Sequence, residues 1–513
     1  MRSIRDSTRT RGPVLALLMA LALVLTACPA EEPEVVEPVE PVEEPVEEPP
    51  EPDVAEFEDV TLRVGVETGH ALGDPIKPYV AEWEEMSGAT VEITEIPFAE
   101  IFPRMMTSFM AGTDDFDVVI VLPTWLGDMN PFLEPLNAFI EGDEVADWDD
   151  ILPVCQEIAR WEGQTFLMPL DCDLFMSYYN RTALEDPDHQ TAFEDEYGYP
   201  LAPPTTWDEY RDVAAYFEEH DDDLYGAMES MSRGTQTFWT GLSRMVGYVS
   251  QGEGWELFFD PDDMTPLINS PGHVRALEEW IEIVPHGPPD ILEFDVGDIR
   301  AQFPLNTAAL ALDWASIGFI PTSRENQELI GFNPIPGPME VYDHATGDWI
   351  ELDEPNRVPF MAANGWGAAI PVTSPNQEAA WDLVRYLASP DISLQLVSMR
   401  DNYDPAVGYQ PFRGYHFENI DGWVESEWER DRVEEYLDAT YESLTSEFVQ
   451  PDLRIPGAFE YLDELDAGVT AALTGEMTPQ AALDDVADRW DAITEREGRD
   501  EQLRLYRASI GLD

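Results

Sequence analysis

The sequence predicts an α/β protein folded as two lobes, on three observations. Strand, helix and strand alternate where the globular part begins, the pattern of a parallel sheet wrapped by helices. At 513 residues, with 44% hydrophobic and 11% aromatic side chains, the chain can bury more than one core. Between Gly163 and Arg181, two short apolar runs, Thr165–Met168 and Leu174–Tyr179, flank Pro169-Leu-Asp-Cys-Asp173. Runs so short and aromatic suit buried strands. Pro169 cannot donate to a sheet ladder, so the chain leaves one sheet there and enters another, with Asp171 and Asp173 where two packed bodies meet. An ordinary hairpin with surface acids reads the same residues equally well.

In chain order, Arg2, Arg5, Arg9 and Arg11 precede an apolar run from Val14 to Leu25. That is the charge and length of a secretory signal, too short to span a bilayer. The run ends in Leu25-Thr-Ala-Cys28, which resembles the bacterial lipobox. Cleavage before Cys28 and acylation of its thiol would make residues 1–27 a signal peptide and anchor the mature chain to the cell membrane from outside. A plain signal peptide with an incidental cysteine is the alternative. Residues 28–59 are almost wholly Glu, Pro and Val, with no apolar period. Proline stiffens such a segment and like charges extend it, so it reads as a disordered tether.

The first lobe opens with the alternating strand Val60–Val66, a loop Glu67–Asp74, and a helix Pro75–Met86 carrying Ile76, Tyr79, Val80 and Trp83 at helical spacing. A strand Val91–Ile96, a helix Phe102–Met110 stopped by Gly112, and a buried strand Phe116–Leu122 complete the alternation. Ligands of such sheets bind beyond the carboxyl ends of the strands. Glu67, His70 and Asp74 after the first strand, and Thr124 and Trp125 after the third, are the candidates this rule selects. After the crossover, Thr205 or Thr206 can cap a helix Trp207–Glu219 with acids in its first turn.

Charge excludes one class of function. With 105 acidic and 27 basic side chains the formal charge is −78, and Lys77 is the only lysine. A nucleic-acid binder needs a basic footprint that this chain lacks. Self-repulsion of this size is relieved where ionic strength is high, which points to saline surroundings, as in halophiles. Cys155 and Cys172 remain once Cys28 is set aside, and an even pair in an exported protein reads as a disulfide pinning 152–160 to the crossover; two buried thiols are the alternative. No histidine lies near either, which disfavours a metal site. The acidic loops Asp221–Asp223 and Asp260–Asp263 lack calcium-loop spacing.

Several segments, in order, resemble family 1 extracellular solute-binding proteins, the sugar-binding components of ABC importers such as maltose-binding protein. They are Tyr178-Tyr-Asn-Arg181 followed by Pro203-Pro-Thr-Thr-Trp-Asp-Glu209, and the strand Thr307–Trp314. Asn364-Gly-Trp-Gly-Ala-Ala-Ile-Pro371 with the helix Ser374–Ser389, and Gly475-Glu-Met-Thr-Pro-Gln-Ala-Ala-Leu483, complete the set. The resemblance implies a type II periplasmic-binding-protein-like fold: an N-terminal lobe of 60–170 plus 368–414 and a C-terminal lobe of 171–363 plus 415–513. Hinge crossings would join the lobes, with a ligand cleft between them. It favours the crossover over the hairpin.

The resemblance also implies site residues. Asp173 falls where the family carries an acidic ligand residue, and Trp314 where it carries a stacking tryptophan. Asn364 and Trp366 lie in the hinge strand, and Arg413 resembles a Pro-x-Arg element. Arg454 and Phe459 lie in a loop with an aromatic ligand contact in relatives. Arg233, with Ser232 and Gln236, precedes Phe238-Trp239. Sugars need carboxylates and amides for their hydroxyls and aromatic faces for their C–H surface.

The function expected is capture of a carbohydrate, a di- or oligosaccharide, by lobe closure, with delivery to an ABC permease; the protein would be a lipid-anchored monomer without cofactor or metal. Glycerol phosphate and polyamine are alternatives on the same fold. A secreted glycoside hydrolase is the alternative of a different class, since paired carboxylates among aromatics would also suit one. No Gly-x-Ser-x-Gly, phosphate loop or His-Glu-x-x-His accompanies them, and the resemblance brings no catalytic residue.

Overall fold

The computed structural model describes residues 57–69, 72–221, 223–234, 236–250, 257–316, 327–398 and 408–512. The signal peptide, Cys28, most of the tether and His70 lie outside the described residues.

Two sheets organise the described chain. Strand β1 (Thr61–Glu67) turns Leu62, Val64 and Val66 inward, and helix α1 (Gly73–Ser87) covers it with Ile76, Tyr79, Val80 and Trp83. This helix ends at Gly88, whose φ of 77° is the left-handed cap that glycine adopts without steric cost. Strand β2 (Thr90–Ile96) leads into α2 (Phe98–Ala111), which begins before the expected residue 102. Glu100 in its first turn suits the positive helix end, and Pro103 is tolerated at the loss of one backbone bond. Strand β3 (Val118–Val121) is buried throughout, and the three pair in parallel as β2-β1-β3.

Strand β4 (Met168–Pro169) belongs to this first sheet and β5 (Phe175–Asn180) to the second, so the chain does change sheets beyond Pro169. Helix α3 (Trp207–His220) carries the capping box Thr206/Glu209, then come β6 (Tyr225–Met228) and α4 (Thr237–Val249), buried on all sides. Helix α5 (Val296–Gln302), β7 (Ala308–Trp314) and β8 (Ile330–Pro334) follow. The second sheet runs β8-β5-β7-β6, and its register sets Phe175 opposite Trp314 and Met176 opposite Asp313. Strand β9 (Gly367–Ala369) then returns to the first sheet between β3 and β4. Helix α6 (Gln377–Ala388) packs against α1, with Trp83 donating to Asp382 at 2.9 Å. Helices α7 (Ala458–Leu473), α8 (Pro479–Glu497) and α9 (Arg499–Ser509) close the chain, α7 packing on α4 and α8.

The first and second sheets exchange the chain beside one another. Leu170 and Asp171 donate their N–H groups to Trp366 O at 2.9 and 3.2 Å, so the outgoing and returning crossings are hydrogen-bonded. Gly365 is obligatory there: its φ is 93°, and a Cβ would lie 2.7 Å from Asp171 Oδ1 and 2.8 Å from Asp173 N. Cys155 and Cys172 form a disulfide that ties the helix Pro153–Ile158 to the crossover.

Candidate functional site

Where the ends of β1 and β3 face α4, α5 and β7, the structure forms a partly open cavity of about 140 Å³. Glu67, Asp173 and Arg300 supply its charges; Phe98, Trp239, Trp314 and Trp366 supply its aromatic walls. β1 delivers Glu67 as its last residue, the crossover delivers Asp173, and β7 ends on Trp314. Phe98, opening α2 right after β2, lies 6.3 Å from Trp239 and 6.4 Å from Trp366 between ring centroids. Phe175 backs Trp314 at 4.5 Å, and Trp239 meets it edge-on at 5.6 Å.

The charges are arranged unevenly. Arg300 forks onto Asp313 through bonds of 2.7 and 2.9 Å and lies 5.8 Å over the Trp314 ring. Asp313, 1% exposed, thus already answers that guanidinium, which leaves Glu67 and Asp173 as surplus acid in the cavity. Burial pushes the Glu67 carboxyl up to about 7 against the pull of Arg300. Asp173 is raised by burial, with Glu67 adding to the rise and Arg300 and the hydrogen bond from Gln410 opposing it. Asp171, behind it, is raised by burial and by Asp173, and neither of its oxygens accepts a hydrogen bond among the described residues. Such a chamber offers acceptors, a fixed cation and indole faces, and suits a small solute rich in hydroxyls.

Of the residues named from sequence, Glu67, Asp173, Trp314 and Trp366 line this cavity together. Trp125 and Phe459 stand behind it: Trp125 meets Trp366 edge-on at 5.8 Å, and Phe459 lies 5.9 Å from Phe98. Asp74 turns away to Lys77 at 2.6 Å, and Arg233 is exposed. Four others lie outside this cavity, held by long-range partners. Thr124 and Asn364 are fully buried and bonded to each other at 3.1 Å, so neither lines the cavity. Arg413 donates to Ala146 O and to Ala388 O, the latter at 2.6 Å. Arg454 donates to the carbonyls of Glu157, Ile158, Arg160 and Ser509. Both arginines hold loops together and do not line this cavity.

Phe98, Trp239 and Arg300 were missed, while Gln236, named beside Arg233, does line the cavity. Phe98 was within reach, since it follows the second strand as Glu67 follows the first. Arg300 and Trp239 sit on helices whose facing is set by the second sheet, which leaves no local signal. A larger concavity of about 950 Å³ lies beside α9, but its guanidiniums are engaged. Arg504 pairs with Glu162 and Glu501, and Arg507 donates to Pro261 O. It takes no lining from the strand ends of either large sheet.

Comparison with known proteins places this geometry. The pattern of the bacterial extracellular solute-binding protein family matches residues 69–392. An erythritol/L-threitol-binding protein of Mycolicibacterium smegmatis is 22% identical over 327 residues, 59% of this chain and 65% of that relative. A probable ABC transporter-binding protein of Deinococcus radiodurans is 23% identical over 68% of this chain and 76% of its own length. Among solved structures, an Agrobacterium radiobacter solute-binding protein in complex with ribitol superposes with a TM-score of 0.66 at 21% identity, covering 85% of this chain and 99% of its own. Maltose-bound MalE3 of T. maritima gives 0.66 at 19% identity over 85% and 100% of the two chains. At these identities the likeness of structure concerns the fold.

Proposed function

The chain belongs to the bacterial extracellular solute-binding proteins, and from that premise we propose that it captures a small polyol or single sugar for an ABC importer. As a member of that family it is an extracytoplasmic binding protein, not an enzyme. The observation that carries the substrate reading is the size and lining of the cavity. Its 140 Å³ equals roughly four or five waters at ~30 Å³ each, below the ~300 Å³ where sites for larger ligands begin. The space is of tetritol size, a pentitol or single pyranose needs somewhat more, and a di- or oligosaccharide would require the Phe98 and Trp239 walls to part. The one relative named for erythritol and L-threitol, and the neighbour holding ribitol, support the same size class.

Glu67 and Asp173 accept from the solute's hydroxyls, Arg300 donates, and Trp239, Trp314 and Trp366 cover its C–H faces. Surplus acid argues against glycerol phosphate. A polyamine is the second reading, favoured by two carboxylates inside an aromatic cage. Closure of residues 60–170 plus 368–414 against the rest buries the solute, and contacts from both sides supply the preference for the closed state. Acylation at Cys28 and the acidic tether hold the monomer at the membrane near its permease.

Thermal unfolding in high salt against erythritol, ribitol, mannitol, glucose, maltose, glycerol phosphate and spermidine tests the reading. A solute at 100 Kd stabilises by about 2.7 kcal/mol through linkage. A shift with a polyol or monosaccharide supports the proposal. A shift with maltose alone restores the oligosaccharide, and one with spermidine alone moves the function to cations.

A further inference from the structure

Two residues expected to touch ligand, Thr124 and Asn364, instead belong to a buried hydrogen-bond chain that runs behind the cavity wall. Asn364 Nδ2 donates to Thr124 Oγ1 at 3.1 Å, and Thr124 Oγ1 donates to Ala363 O at 3.3 Å. Asn364 Oδ1 accepts from Asp452 N at 2.9 Å. The Asp452 carboxylate then gathers three donors: Trp239 Nε1 at 2.7 Å, Ala363 N at 3.2 Å and Leu453 N at 2.7 Å. Four segments distant in sequence meet here: the loop after β3, the returning crossing, the first turn of α4, and residues 452–453. Thr124, Asn364, Asp452 and Trp239 are each 3% exposed or less.

Two of the groups held by this one carboxylate oxygen, Trp239 and Ala363, are themselves cavity wall. The crossing is also strained: Ala363 and Asn364 have φ of 62° and 64°, a region that residues with a Cβ visit rarely, and Gly365 follows at 93°. Consecutive left-handed residues persist only where their surroundings over-determine them. The network does so, since it bonds Ala363 at both its N–H and its carbonyl and Asn364 at both side-chain atoms.

We propose that Asp452 is a positioning residue for the solute site: it fixes the indole of Trp239 against the left-handed crossing at Ala363 and, through Asn364 and Thr124, registers that wall on the first sheet. This rests on the cavity being the solute site. The role differs from simple support of the fold because the carboxylate's partners are two wall groups and the connection between the sheets.

The test uses the full chain with ¹⁵N-labelled indoles, the Trp239 resonance being assigned with Trp239→Phe. Asp452→Asn should move that resonance and speed amide exchange at Ala363 at least tenfold, while amides of α7 and α8 exchange as before. Ribitol affinity should fall at least tenfold. Should Asp452→Asn not fold, Thr124→Val, which removes the links from the first sheet to Asn364 and Ala363 O, carries the same test at Ala363. An unmoved resonance with unchanged exchange, exchange rising evenly along the chain, or a loosened wall with unchanged ribitol affinity would each overturn the role. If no polyol or monosaccharide binds the unaltered protein, the solute reading is what falls, and resonance and exchange still decide whether Asp452 positions the wall.

Discussion

Glu229 and Asp173 are both buried acids, and the second sheet's core treats them oppositely. Glu229, following β6, is fully buried and takes a two-pronged bond from Arg244 at 3.0 and 2.7 Å. That guanidinium is in turn covered by Trp207 at 4.2 Å and Tyr210 at 5.3 Å. In the cavity, Glu67 accepts no side-chain hydrogen bond among the described residues, Asp173 has Gln410, and Arg300 is engaged by Asp313. A charge matched on every side serves the fold. A carboxyl left short of donors within a chamber has capacity to accept from something else, and that is where perturbed acids mark function.

The sharpest way to break this contrast is Glu229→Ala. It strands Arg244 in the core and should cost about 3–5 kcal/mol in urea unfolding, while whatever protein stays folded binds solute normally. Next, reduction of Cys155–Cys172, whose partners are 17 residues apart, should cost about 3 kcal/mol by freeing the unfolded chain; comparing melting with and without reductant measures it. Asp173→Asn should act in the other currency. It puts a donor amide where a solute hydroxyl needs an acceptor, costing about 1–3 kcal/mol of solute binding, read by calorimetric titration, and leaves stability equal or higher.

The smallest effect expected is that of pH on the solute-free protein. Glu67 and Asp452 are pushed up to about 7 and Asp128 to about 6, in each case chiefly by burial. The folded state therefore holds protons that the unfolded state has released, so these groups add stability that is full below pH ~4 and is lost as pH rises through about 7. Melting temperature should rise as pH falls from 8 to 5.5, with relief of the −78 charge acting in the same direction. Acidification that destabilises across that window would show the cavity acids to be better partnered than described.

Much of the scaffold was legible because its signals are local. Apolar alternation marked β1 and β2, Gly112 stopped its helix, and Thr206 with acids in the first turn announced α3. Pro169 marked the change of sheet for the same reason, since a missing N–H is a property of the residue itself. The site was legible at a strand end, Glu67, and through the family resemblance at Asp173, Trp314 and Trp366. Glu67 ends a strand that the alternation already marks, whereas the strand ending in Trp314 is buried throughout and its tryptophan was marked by the resemblance. Thr124, Asn364, Arg413 and Arg454 fall outside the cavity because their partners are set by tertiary packing: Asn364 and Thr124 are 240 residues apart, and Arg454 reaches Glu157 across 297. Arg300 escaped because Asp313, thirteen residues on, shares no helix face or strand with it.

The central claim is that the cavity carboxyls are kept short of partners for a solute. Its most direct test is to measure, side by side, calorimetric affinity for the solute that the panel selects and solute-free melting temperature in Asp173→Asn and Glu67→Gln. Affinity is expected to fall at least tenfold in both, with melting temperatures unchanged or raised. Unchanged affinity with lowered melting temperatures would make these acids part of the fold and contradict it.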